Sequence, residues 1–154
     1  MRIAIVYHSG SGNTKALAEV IASFLPEAKL FKLGEFNSAT LPAYDGLLIG
    51  SYTWGDGDLP AKMIPFYEEL ETADISHLTT AVFGTGETNY HHFCGAVNLL
   101  RDMLYVHSSL AVTLKVEQMY QTTDLPRIEK FTTIFKQALQ SKIKNTCMTK
   151  ELIS

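Results

Sequence analysis

Arg2-Ile-Ala-Ile-Val-Tyr7, followed by His8-Ser9-Gly10-Ser11-Gly12-Asn13-Thr14, decides the fold. A short β-branched apolar run with no alternation reads as a strand buried on both faces, and its Gly-rich ending reads as a loop feeding a helix. From Asn13 the apolar positions Leu17, Val20, Ile21, Phe24 and Leu25 recur at helical spacing until Pro26 stops them. A parallel strand–loop–helix unit is the expected result.

The same alternation repeats along the chain. Strands are expected over 28–33, 44–50, 80–84 and 110–116, and helices over 60–71, from about Phe93 to Leu104, and over 125–143, with 34–42 as loop. The strand at 28–33 carries Lys29 and Lys32 and suits a sheet edge. Five strands alternating with helices imply an α/β fold: a doubly wound five-stranded parallel sheet with helices on both faces and right-handed crossovers. Residues 1–144 form one domain on this reading, and the polar segment 145–154 is expected to fray.

Composition sets the outer limits. The 154 residues are 46% hydrophobic and 19% charged with net charge −3, which is the profile of one globular domain with a packed core. No window approaches the roughly 18 apolar residues of a membrane span, and the apolar run after Met1 is too short for a secretory signal core. Cys94 and Cys147 belong to no CxxC or Cys/His cluster, so neither a disulfide framework nor a zinc site is indicated. A cytoplasmic protein that binds neither nucleic acid nor membrane is expected.

Charge is unevenly distributed. Residues 45–90 hold 8 acidic groups against Lys62 alone, whereas 127–154 hold 6 basic and 2 acidic groups. The acidic zone suits a basic partner or is simply a solvated surface.

In an open doubly wound sheet the ligand lies beyond the carboxyl ends of the strands where strand order reverses, so the loops after the first, third and fourth strands carry the function. The first, Ser9-Gly10-Ser11-Gly12-Asn13-Thr14, offers hydroxyls and free helix amides to an anion, though an ordinary helix cap has the same composition. Lys15 stands where a dinucleotide fingerprint requires glycine, and the G-K-[ST] ending of a P-loop is absent. The second, Ser51-Tyr52-Thr53-Trp54-Gly55-Asp56-Gly57, contains the single tryptophan, which either covers something flat or packs over the sheet end. The third, Thr85-Gly86-Glu87-Thr88-Asn89-Tyr90-His91-His92-Phe93-Cys94, presents a second aromatic ring. Two rings beside an anion cradle describe a slot for a planar ring with a phosphorylated tail, the shape of flavin mononucleotide (FMN).

The three segments, in this order and spacing over residues 2–142, resemble the phosphate loop and the two flavin loops of the short-chain bacterial flavodoxins. The resemblance implies the strand order 2-1-3-4-5 of that fold, which is the established arrangement with FMN at the switch point. It also implies that Ser9, Gly10, Ser11, Gly12, Asn13 and Thr14, with Thr53, hold the phosphate, and that Trp54 covers the inner ring face and Tyr90 the outer. The carbonyl of Gly55 would turn toward the reduced ring, and the N–H of Asp56 would serve the oxidised one. Ser51, Tyr52, Gly57, Thr85, Gly86 and Phe93 complete the implied lining, and the backbones of Glu87, His92 and Cys94 meet the pyrimidine edge. Departures from the family pattern are Gly10 in place of the usual threonine, Glu87 in place of aspartate, and His91-His92 in place of a Glu-Tyr type pair.

The implied function is a low-potential one-electron carrier that shuttles between semiquinone and hydroquinone and is not itself a catalyst. A carboxylate about 8 Å from the ring at an effective dielectric of about 20 disfavours a reduced anionic ring by about 2 kcal/mol, and a cation-free phosphate site adds to this. Implied partners are a reductase as donor and a redox enzyme as acceptor, docking a monomer at its acidic flavin face. Three rivals remain. An activator of the ribonucleotide reductase metal centre has similar size, and an FMN-dependent quinone reductase needs extra segments. A receiver-type signalling domain needs an acidic pair where His8-Ser9 stand.

Overall fold

The computed structural model describes the backbone of residues 1–153 and the side chains of residues 1–149. Five strands, β1 (Ile3–His8), β2 (Ala28–Lys32), β3 (Gly46–Tyr52), β4 (Thr79–Gly86) and β5 (Ser109–Glu117), form one sheet in the order β2-β1-β3-β4-β5. Every pairing is parallel. Strand order reverses between β1 and β3, as expected of the doubly wound arrangement.

Because successive side chains of a strand point to opposite faces, each strand feeds two cores. Ala4, Val6, Leu47, Ile49 and Val82 face α2 (Ile64–Thr72) and α3 (Gly95–His107). Ile3, Ile5, Leu48, Ala81 and Phe83 face α1 (Asn13–Phe24) and α4 (Leu125–Ile153). Burial on both sides is why the strand sequences read as continuous apolar runs.

Element ends depart from the sequence reading in explicable ways. The helix expected from Pro60 begins as the 3₁₀ turn Ala61–Met63 and becomes α-helical only at Ile64, with Pro65 in its first turn, where a missing N–H costs nothing. Residues 34–42, expected as loop, contain the 3₁₀ turns Leu33–Glu35 and Ser38–Ala43.

The polar tail expected from residue 145 is instead a continuation of α4 to Ile153; Ser154 lies outside the described residues. No glycine or proline follows Pro126 to break the helix, and Thr146 and Thr149 return their hydroxyls to the carbonyls of Lys142 and Asn145, each at 2.9 Å. Polarity alone does not end a helix.

Candidate functional site

The carboxyl ends of β1, β3 and β4 open onto a cleft of about 610 Å³, within the usual range for a small-molecule site. Its walls come from all three loops singled out in the sequence: Gly10, Ser11 and Asn13 from the first, Tyr52, Thr53, Trp54 and Gly55 from the second, and Thr85, Gly86, Glu87, Tyr90, His92 and Cys94 from the third.

At one end lies the start of α1. Gly12 occupies the N-cap position with φ +100°, and no side chain caps the helix. Ala16 is the first amide to reach an internal acceptor, the Gly12 carbonyl at 3.0 Å. Most helices satisfy these orphan donors with a Ser, Thr, Asp or Asn cap; here they have none, beside Ser11 and Asn13, which line the cleft. The set is polar and neutral, which suits a phosphate.

Thr14 lies beneath this cradle. Its hydroxyl is 2.7 Å from that of Thr85, and both residues are buried, so the bond ties the first turn of α1 to the end of β4. Ser9 accepts the Gly12 amide at 3.1 Å, and so braces the loop from its other side.

At the other end, Trp54 and Asp58 exchange two backbone hydrogen bonds of 2.8 Å and close a three-residue loop, Gly55-Asp56-Gly57. Gly55 and Gly57 have φ +53° and +111°, the left-handed region that glycine adopts without strain. A Cβ on Gly95 would stand 2.4 Å from Gly57 Cα, and one on Gly57 would stand 2.7 Å from His92 Cβ. The second and third loops therefore pack backbone against backbone, and glycine alone permits the approach.

Asp56 joins them electrostatically. One carboxylate oxygen accepts the His92 amide at 3.1 Å, and the other lies 3.6 Å from its Nδ1. The His92 amide is the main reason the Asp56 carboxyl lies below the ordinary carboxylate range.

Trp54 remains 64% exposed and Tyr90 46%, although both line the cleft. Two large rings left in solvent on opposite loops cost burial energy unless a flat partner covers them.

Other expected residues stand back from the cleft. Ser51 is fully buried and bonds the Tyr52 carbonyl at 2.7 Å. Thr14, Asp56 and Gly57 shape the loops without lining it, Ser9 and Gly12 open onto a neighbouring cleft, and Phe93 lines a separate depression. Burial pushes the Cys94 thiol up to about 11, so this residue lines the cleft as an inert group.

Gln118 lines the cleft and was not among the expected residues. It follows β5, has φ +50°, and donates its amide to the Gly86 carbonyl at 2.8 Å. The pairing of Gly86 with Glu117 carries it there, and a reading confined to the loops at the switch point passes it by.

Fold and cleft together define a doubly wound α/β protein with a mononucleotide-sized site at its switch point. Comparison with known proteins gives the family: a flavodoxin family profile matches residues 5–123, and the chain belongs to the flavodoxins. Probable flavodoxin 1 of Bacillus subtilis is 40% identical over 126 residues, 78% of this chain and 80% of that protein. Among solved structures, oxidised flavodoxin 2 from Bacillus cereus superposes with a TM-score of 0.84 at 35% identity, covering 90% of this chain and 99% of that one. Flavodoxin 1 from the same species gives 0.82 at 30% identity, covering 89% and 98%. Flavodoxins are electron-transfer flavoproteins rather than catalysts, and the ribonucleotide reductase activator and quinone-reductase readings are not favoured.

Proposed function

We propose that this flavodoxin is a low-potential electron carrier whose FMN lies in the 610 Å³ cleft, with its ring between Trp54 and Tyr90 and its phosphate on the Ser9–Thr14 loop. One observation carries the reading: two exposed aromatic residues line a cleft that ends on an uncapped helix start. The donor set fits FMN, because free amides, Ser11 and Asn13 suit a phosphate while the two rings suit a tricycle.

When bound, FMN supplies the one-electron redox chemistry; the chain positions and tunes it. Trp54 and Tyr90 exclude water from the ring faces. The α1 amides and the hydroxyls of Ser11 and Thr53 satisfy the phosphate without a cation of their own. Asp56, Asp58 and Glu87 place negative charge at the ring end and disfavour addition of further negative charge. Gly55, at φ +53°, can reorient its peptide with little steric cost and so offer its carbonyl or the following N–H to the ring edge.

No helix among the described residues is long and apolar enough to cross a membrane. In our reading the protein acts in the cytoplasm as a monomer, between a reductase as donor and a redox enzyme as acceptor that meet its flavin face. Stepwise reduction of the FMN-loaded protein tests the carrier role. Two separated one-electron potentials, with no steady NAD(P)H consumption unless a reductase is added, support it. Direct NAD(P)H–quinone turnover would favour the enzyme alternative.

A further inference from the structure

A second cleft, of about 530 Å³, adjoins the flavin cleft and shares Gly10 with it. Ser9 and Gly12 line it too, so it lies on the outer side of the phosphate loop. Its other walls carry Lys15 from the first turn of α1, Lys32 from the end of β2 and Lys62 from the turn before α2. Three elements far apart in sequence thus bring three ammonium groups around one opening.

These lysines have no partners. None takes part in a salt bridge or side-chain hydrogen bond among the described residues, whereas Lys136 and Lys142 elsewhere are both engaged. The cleft holds one carboxylate, Glu35, which forms no ion pair either. His8 adds no charge, since burial and then Lys62 hold its imidazole below the usual range. The opening is therefore a concentrated positive site, and Lys62 is the one cation of the otherwise acidic 45–90 segment.

The character of the site selects its occupant. A small ion held in place needs donors fixed inside the cleft, yet the three lysine side chains that carry its charge are exposed. Several exposed cations around a wide opening match several carboxylates on a chain better than one compact anion. We propose that this cleft docks an acidic segment, a run of Asp and Glu side chains, of a redox partner protein. A partner seated there rests against the phosphate loop and lies beside the flavin cleft. The ring end has the opposite sign, with Asp56, Asp58, Glu87 and Glu117 exposed. The favoured partner accordingly bears an acidic segment next to a basic patch, and the two signs fix its orientation. This proposal rests on the flavin reading of the first cleft.

The test uses the FMN-loaded full chain, an oligo-glutamate decapeptide and inorganic phosphate, with amide NMR shifts as readout and flavin absorbance followed in the same sample. The expected shifts with peptide fall on Ser9–Lys15, Lys32–Glu35 and Ala61–Met63. Affinity should drop about tenfold in a Lys15→Gln/Lys32→Gln/Lys62→Gln variant, because each exposed ion pair contributes only modestly. It should stay unchanged in a Lys130→Gln/Lys136→Gln/Lys144→Gln control on α4. Equal loss in both variants, no peptide binding, or phosphate binding at these segments as tightly as the peptide would overturn the proposal. Failure of the flavin reading shows separately, as a protein that takes up no FMN.

Discussion

Asp56 and His92 bridge the loops that follow β3 and β4: the carboxylate of one accepts the backbone N–H of the other at 3.1 Å and lies 3.6 Å from its imidazole Nδ1. The amide bond holds at any His92 protonation state, whereas the imidazole contact strengthens when the ring is charged. Asp56→Ala should therefore loosen both loops and raise the FMN Kd severalfold without unfolding the sheet. The Asp56 carboxyl titrates below its ordinary value, so its contribution is present above about pH 4 and is lost as pH falls through the lowered folded value. FMN titrations of wild type and Asp56→Ala at neutral pH and in acid check both points; the two proteins should converge in acid.

Gly10 faces Tyr52 in a way that accounts for the absence of a larger residue. A Cβ at Gly10 would lie 3.3 Å from the Tyr52 ring, tighter than ordinary van der Waals contact, and that ring packs on His8 with centroids 5.3 Å apart. Gly10→Thr should weaken FMN binding, because overpacking typically costs about 1–3 kcal/mol. Tyr52→Ala removes the obstacle, so the double variant should bind better than the sum of the two single losses. Additive losses in a double-mutant cycle would remove this explanation.

Gly95 meets the backbone of Gly57, and no flexible side chain can yield there. Gly95→Ala should lower both thermal stability and FMN affinity, again by about 1–3 kcal/mol or more. Gly55→Ala meets only an ordinary van der Waals contact, Asp58 Oδ2 at 3.7 Å, but must hold φ near +53°. It should therefore cost about 1–2 kcal/mol of stability and shift the midpoint potentials, which potentiometry of the loaded protein reads directly. Unchanged potentials would exclude a role for Gly55 reorientation.

His8 should remain neutral at pH 7 and titrate below its usual value near 6.5, chiefly through burial and secondarily through Lys62. Since the unfolded chain binds this proton more readily, the stability linked to neutral His8 is complete above about pH 6.5 and declines as pH falls through the lowered folded value. Lys62→Gln should move the imidazole titration upward, part of the way back, in an NMR pH series.

Much of this architecture could be read directly from residue patterns. Ile3–Tyr7, Leu47–Ile49 and Ala81–Phe83 are apolar without alternation because α1 and α4 cover one sheet face and α2 and α3 the other, and that is a local signal of a parallel sheet. The cleft was legible because Gly-rich loops with Trp54 and Tyr90 follow strands at the switch point. Long-range geometry was not. The Thr14–Thr85 bond, the Asp56–His92 bridge and the lining by Gln118 depend on how strand ends stagger, which residue spacing does not encode. The helical continuation to Ile153 is not legible in polarity, because a polar segment without glycine or proline can continue a helix as readily as fray.

Trp54, the single tryptophan, reports on the site itself, so fluorescence during addition of FMN to flavin-free protein tests the central claim most directly. Stacking on the ring predicts strong, saturable quenching that ends at one FMN per chain, a yellow product, and a marked loss of affinity in Trp54→Ala and Tyr90→Ala. Unquenched tryptophan emission and a colourless protein at millimolar FMN would contradict it.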